Sequence, residues 1–481
     1  MASKLNATSE KSAGQQLSEK LMYKRKNAWE QFSSPADRKT IFAFAEEYKD
    51  FISVNKTERL CISSGIDLLQ KAGFQEIGKA KQLKTNSFKV FTSAHGKNLA
   101  AFVAGKQPVT EGINFVLSHV DCPRLDLKPQ PLYEESQLAL LKTHYYGGIK
   151  KYQWVAIPLA LYGTAYTQDA KEVSIAIGDG ENDPILMITD LLPHLGRKQM
   201  AKPLREAISS EELNVFTGSI PFNDNGVKDR VKLAILEYIY NNYGLIEEDL
   251  ITAEFQLVPS GRAHDLGFDR SFIAGYGHDD RSCSYAAMQS LIYAEKPEKT
   301  SMIMWIDKEE IGSDGITSAQ GQFLETAISE LLVKLGLPAD SQTIASIFRK
   351  SSAISADVDA VYDPTYKAAF DLQNTPYINN GVSFSKYTGH GGKYSASEAE
   401  AGFFAKIVKI FNDEKIPWQT GELGKVDEGG GGTIAKYIAK RGINIIDCGV
   451  GVLSMHAPWE VISKVDLYVT YLAYRAFMEK M

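Results

Sequence analysis

Two short stretches of this chain hold residue types that bind metal and move protons. His119-Val120-Asp121-Cys122-Pro123 closes an apolar run. A histidine leaving a strand end can present a ring nitrogen to a cation, and a carboxylate two residues on can hold the other nitrogen. The second stretch is Trp305-Ile306-Asp307-Lys308-Glu309-Glu310-Ile311-Gly312-Ser313, where adjacent carboxylates follow another apolar run. Adjacent carboxylates repel, and confining both at a strand end is costly unless a cation compensates. In a dinuclear metal site one of them ligates while the other takes a proton from the attacking water. Taken alone, each stretch has a plainer explanation: a structural strand-end histidine, and a solvated helix N-terminus that favours acidic residues.

Three more segments fit the same chemistry. Gly277-His278-Asp279-Asp280-Arg281 precedes a helical pattern, and Ser355-Ala356-Asp357 ends a short apolar run. Leu453-Ser454-Met455-His456-Ala457-Pro458 carries a histidine after a Gly-rich turn. With the first two segments they supply two His and several Asp and Glu, donors suited to Zn²⁺, Mn²⁺ or Co²⁺. Cys61, Cys122, Cys283 and Cys448 are widely spaced and form no CxxC pair. They read as free thiols in a reducing cytosol, not as a disulfide framework or a zinc knuckle.

The elements that must position these residues follow from the patterning. The chain has 481 residues, enough for two domains or for one with a large insertion. At 44% hydrophobic and 23% charged it has the composition of a soluble globular protein. A net charge of −6 without long Lys/Arg runs argues against nucleic-acid or anionic-membrane binding. Ala2 to Phe32 is polar, with no apolar core of an export signal, and no run is long enough for a membrane helix, so a cytoplasmic location is expected. Helical spacing covers about Lys11 to Glu47 and then Thr57 to Ala72; strand-like runs follow at Ser87–Thr92, Asn98–Ala104 and Ile113–Val120. Between Pro129 and about Gly261 lie short strand-like runs, among them Ala156–Tyr162, interrupted by one helix over Asp229–Tyr243. Alternating helices and strands resume with a helix over Ser282–Ala294 and close with one over Ser463–Met481. The expected fold is α/β: a mixed-sheet peptidase domain over 1–128 and 263–481, with a mainly β dimerisation or oligomerisation domain inserted over 129–262.

The ordered set His119-x-Asp121, Asp280, Glu309-Glu310, Asp357, His456 resembles the aspartyl aminopeptidase family of dinuclear metalloaminopeptidases, in a bacterial-type member. The likeness runs from about residue 20 to the C-terminus. It implies that His119 and Asp357 complete one metal site and Glu310 and His456 the other, with Asp280 bridging them. It implies Glu309 as general base and Asp121 as the residue orienting His119. It further implies two divalent ions per subunit, zinc first and Co or Mn as alternatives, and a homo-oligomer, dodecameric in the family. His194 would be offered to a neighbouring subunit's site, and Lys386 would contact substrate. The loop Gly429–Gly432 with Thr433 matches a segment near the family's site; it lacks the GK[ST] ending of a phosphate loop.

Some positions depart from the family pattern. Asp280-Arg281 replaces the usual Asp-Asn, Ala360 stands where many members have His, and Ile149–Trp154 lacks the acidic–basic run usual in eukaryotic members. None removes an expected ligand, but all weaken a preference for N-terminal Asp or Glu. The resulting expectation is a cytoplasmic metalloaminopeptidase that releases single residues from peptides with a free N-terminus, acidic residues among its candidate substrates. A related dinuclear carboxypeptidase or deacylase, and a catalytically silent assembly or peptide-binding scaffold, stand as the alternatives.

Overall fold

The computed structural model describes residues 11–481, so the beginning of the polar N-terminal stretch, residues 2–10, lies outside the described residues. Four parallel strands, Thr300–Ile306, Ile113–His119, Ser352–Ser355 and Asn444–Gly449, lie side by side in that order within a nine-stranded sheet. On one flank, Asn98–Val103 and Lys89–Ala94 continue the sheet antiparallel; on the other, Val382–Ser385 runs antiparallel to Asn444–Gly449 and carries Trp418–Thr420 beside it.

The apolar runs are explained by burial on both faces. Along Ile113–His119, side chains point alternately to opposite sides. Ile113, Phe115 and Leu117 share a core with Ala327 and Leu331 of helix Phe323–Lys334, Ile347 of Ser341–Arg349 and Ile438 of Ala435–Ala439. Val116 shares another with Ile41 and Tyr48 of helix Pro35–Val54, Met288 of His278–Ile292 and Val465 of Lys464–Lys480. Because the four strands are parallel, their C-terminal ends lie along one edge, with Ile306 opposite His119 and Ser355 opposite Leu117 and Asp447. The chain leaving those ends carries His119, Glu309, Glu310 and Asp357, at the edge where open α/β sheets bind ligands.

A second sheet, wholly antiparallel, orders Glu172–Ile177, Leu159–Tyr166, Glu254–Pro259, Arg124–Glu135, Leu138–Tyr146 and Asn214–Gly218. It has its own core, including Leu125, Leu161, Val215 and Leu257. It begins at Arg124, earlier than residue 129, because Pro129 and Pro131 disguise a strand. The register shifts between Leu127 and Leu132, the kind of irregularity at which a residue without an N–H is tolerated. A third sheet orders His264–Leu266, Phe272–Gly275, Glu460–Ser463, Gly451–Leu453 and Asp359–Ala360 along the side of the same edge.

Local differences from the pattern reading have local causes. The helical stretch after Lys11 forms three helices, Ala13–Leu21, Ala28–Gln31 and Pro35–Val54. Ser34 starts the last by accepting from Asp37 N–H, with Pro35 in the first turn where no intrahelical donor is needed. The strand expected over Ala156–Tyr162 runs over Leu159–Tyr166, beyond Pro158. Among the described residues, no helix is long and apolar enough to cross a membrane.

Candidate metal centre

His119 is the last residue of its strand and is buried. Its Nδ1 lies 3.0 Å from the backbone oxygen of Asp121 and 3.3 Å from Asp121 Oδ1; its Nε2 lies 3.3 Å from Asp279 Oδ1. His456 repeats the arrangement. Its Nδ1 meets the carbonyl of Gly148 at 2.9 Å, and its Nε2 lies 3.3 Å from both Asp279 Oδ2 and Glu310 Oε2. Each Nδ1 faces oxygen acceptors, so the neutral ring carries its proton there and turns the Nε2 lone pair toward the carboxylates. That is the tautomer a metal-ligating histidine uses.

The carboxylate between the two rings is that of Asp279, whereas the sequence reading put the bridge at Asp280. The cause is local backbone geometry. At the start of helix His278–Ile292, Asp279 (φ −81°, ψ 107°) and Asp280 (φ −115°, ψ 25°) are not helical. Asp279 therefore offers one oxygen to each imidazole. Asp280 keeps a place among the donors: His119, Asp280 and Asp357 bring ligand atoms within 4.8 Å of one another, as do His119, Asp279 and Glu310.

Glu309 and Glu310 lie in a short 3₁₀ turn, Glu309–Ile311, flanked by Lys308 and Gly312 in left-handed conformation. Asp121 fixes this turn. Its Oδ1 accepts Glu309 N–H at 3.2 Å and its Oδ2 accepts Glu310 N–H at 3.3 Å and the Tyr146 hydroxyl at 2.7 Å. One carboxylate thus holds the first histidine and both glutamates in fixed relation.

The electrostatics of the cluster are those of crowded acids. Burial pushes Glu309 up to about 7, with His119 opposing and Asp121 and Asp279 reinforcing it. Burial, then Asp279, raises Glu310 well above its ordinary range; burial and Asp280 do the same for Asp357. Burial also raises Asp280. Burial alone would lower both histidines, but contacts with Asp121 and Asp279 carry His119 well up, and Asp279 and Glu310 carry His456 to about 10. Asp279, despite burial, is held low by the two rings.

These residues fit a pair of divalent cations. Glu310 Oε1 and both carboxylate oxygens of Asp280 are buried without a hydrogen-bond partner. Orphaned carboxylate oxygens in a low-dielectric site cost several kcal/mol unless something neutralises them. The donors are imidazole nitrogen and carboxylate oxygen, the set that zinc accepts.

A cleft of about 490 Å³ opens over the centre, lined by Glu309, Glu310, Asp357 and His456 and by the loops around Ser385 and Gly430. Lys386 does not line it, although its neighbours Ser385 and Tyr387 do; its exposed ammonium lies 3.5 Å from Glu398. His194 is exposed in a loop of the second sheet's domain and is not among the cleft residues of its own chain. Asp279 and Gly148 went unselected in the sequence reading. The Asp279-Asp280 pair was the available signal for the first, and nothing in a sequence marks a backbone carbonyl as a histidine partner.

The model of the aminopeptidase I zinc metalloprotease (M18) family matches residues 51–478. A probable M18 family aminopeptidase 1 from Clostridium acetobutylicum is 41% identical over 462 residues, covering 95% of this chain and 99% of that protein. The crystal structure of an M18 family aminopeptidase from Thermotoga maritima superposes with a TM-score of 0.92 at 41% identity, covering 96% of this chain and all of that one. The dodecameric mApe1 of S. cerevisiae shares the fold, with a TM-score of 0.73 at 22% identity over 91% of this chain and 96% of that one.

Proposed function

The chain belongs to the aminopeptidase I zinc metalloprotease (M18) family, and from that premise we propose that it removes single residues from free peptide N-termini at a centre built for two zinc ions. The observation that carries the two-ion reading is Asp279, with an oxygen 3.3 Å from Nε2 of each of two histidines. In this reading His119, Asp357 and Asp279 would hold one ion, and His456, Glu310 and Asp279 the other. Asp280 lies beside the first as a further candidate donor.

Bound zinc supplies Lewis acidity, lowering the pKa of water and stabilising charge on the scissile carbonyl oxygen. Glu309 lies in the cleft wall beside these donors and is assigned to none of them. Its carboxylate takes a proton from the attacking water and returns it to the leaving amine. Asp121 acts through others: it holds the His119 ring and, through the amides of Glu309 and Glu310, the position of the base.

The domain formed by the second sheet is proposed to join subunits. It carries the exposed apolar residues Leu191, Leu192, Leu195, Met200 and Leu204, around the exposed His194. Such a patch suits contact with another copy, which would carry His194 toward that copy's cleft. The test of function is release from short peptides beginning with Asp, Glu, Leu, Lys or Ala, with and without chelator. Chelator-sensitive release from free but not N-acetylated peptides is expected. Release from the blocked peptide would favour a deacylase. Particle mass in solution tests assembly, and a monomer would remove any role for His194 in a neighbour.

A further inference from the structure

Glu460 lies at the start of the strand Glu460–Ser463, which pairs with Phe272–Gly275 so that Glu460 stands opposite Gly275. One of these strands leads into Asp279 and the other follows His456. Glu460 is 1% exposed, and both of its oxygens are used. Oε2 accepts the backbone N–H of Asp279 at 3.0 Å, and Oε1 accepts the backbone N–H of His456 at 2.7 Å. Those two residues are the pair whose side chains face one another at 3.3 Å in the centre.

His456 needs such a hold. It is not glycine, yet its φ is +64°, and Ser454 nearby has φ +58°. Side-chain-bearing residues in this left-handed region cost about 1 kcal/mol or more unless the surroundings fix them. The fixing contacts are the Nδ1 bond to Gly148 on the ring and the Glu460 bond on the backbone.

We propose that Glu460 is a positioning residue that sets the distance between Asp279 and His456 and thereby the affinity of the His456-side ion. The inference rests on the two-ion reading above. It mirrors what Asp121 does on the other side, where one carboxylate grips a histidine and the amides of the glutamate turn. Removing Glu460 frees two amides in a buried place and lets the His456 loop drift. The His119 side keeps Asp121 and is spared.

The experiment is zinc titration of the metal-free full chain against a competing chelator, for wild type, Glu460→Gln and Glu460→Ala. Circular dichroism and particle mass of each metal-free protein serve as checks of fold. Wild type is expected to bind two ions. In Glu460→Ala one of the two weakens by about 10- to 100-fold, the range for losing a partner of a metal ligand. Glu460→Gln falls between, because its amide oxygen still accepts one N–H while its NH₂ opposes the other. A wild type that binds fewer than two ions overturns the two-ion reading itself. Two ions in wild type with unchanged affinities in the variants overturn the role of Glu460 alone, and so does an equal loss at both ions. If Glu460→Ala does not fold, the isosteric Glu460→Gln decides by the same criterion.

Discussion

Asp121 accepts the N–H of Glu309 at 3.2 Å while its backbone oxygen holds Nδ1 of His119 at 3.0 Å, so the proposed ligand His119 and the proposed base Glu309 hang on one residue. Asp121→Asn keeps the shape but sets an amide NH₂ among the N–H groups of His119, Glu309 and Glu310 and the Tyr146 hydroxyl. Turnover is expected to fall by about 10- to 100-fold, as for other losses behind a metal ligand. The loss falls on kcat, with zinc still bound. Steady-state kinetics with metal analysis check this; unchanged kcat would remove Asp121 from the machinery.

Glu309→Gln separates proton transfer from metal binding. The side chain keeps its size and lies outside the proposed ligand set, so zinc content and assembly are expected to persist. Turnover falls by more than about 100-fold, the scale of a lost general base. Near-normal turnover would transfer the base role to another group, and loss of zinc would make Glu309 a ligand.

The parts of this centre that were legible in the sequence are those attached to regular elements. Ile113–His119 and Thr300–Ile306 announce themselves as apolar runs, and His119 and Glu309-Glu310 are read from where those runs stop. Asp357 and His456 follow from the same logic with the family resemblance added. Asp279 was hidden because its choice over Asp280 depends on two non-helical residues inside a segment whose composition reads as a helix start. Glu460 was hidden because its partners are backbone amides, which no side-chain pattern marks, and one of them, Asp279, lies 181 residues before it. The strand Arg124–Glu135 was missed because two prolines interrupt its pattern while the sheet absorbs them at an irregularity.

The metal-free protein should lose stability as pH rises from about 5 to 8. Burial raises Glu309 to about 7, Glu460 to about 8 and Asp466 to about 7, so the folded chain keeps protons that the unfolded chain releases near pH 4 to 5. Their contribution is full below the unfolded pKa and disappears as pH climbs through the folded values. His456 acts in the same direction: held at about 10 by its carboxylate partners despite burial, it gives stability below its unfolded pKa that declines above it. Zinc competes with the proton on its proposed ligand His456, so its affinity rises over the same window and its binding releases protons. Thermal melts of chelated protein between pH 5 and 8 check the first statement, and calorimetry in buffers of different ionisation heat checks the second. A chelated protein that grows more stable toward pH 8 would contradict the assignment.

Neutral or basic N-terminal residues are expected to be cleaved faster than Asp and Glu. Two residues beyond Asp357, Asp359 lies in the wall with its Oδ2 held by the hydroxyls of Ser383 at 2.6 Å and Ser385 at 3.1 Å. Asp447, raised to about 6 by burial, lines the same cleft and is ionised at pH 8. The lysines of the 386–393 loop are already engaged: Lys386 and Lys393 both face Glu398, at 3.5 and 3.2 Å. An acidic side chain entering beside Asp359 and Asp447, away from Lys425 and Lys436, which also line the cleft, meets carboxylates and loses its hydration, a juxtaposition that costs several kcal/mol where the charges are desolvated. At pH 8, peptides beginning with Ala, Leu or Lys are expected to exceed those beginning with Asp or Glu in kcat/KM by at least about tenfold, the equivalent of ~1.4 kcal/mol. Asp359→Asn should narrow the gap without lowering release of Ala. Faster release of Asp or Glu would mean that Lys386 or Lys393 leaves Glu398 to meet the substrate, and Glu398→Gln would then raise the acidic rates further.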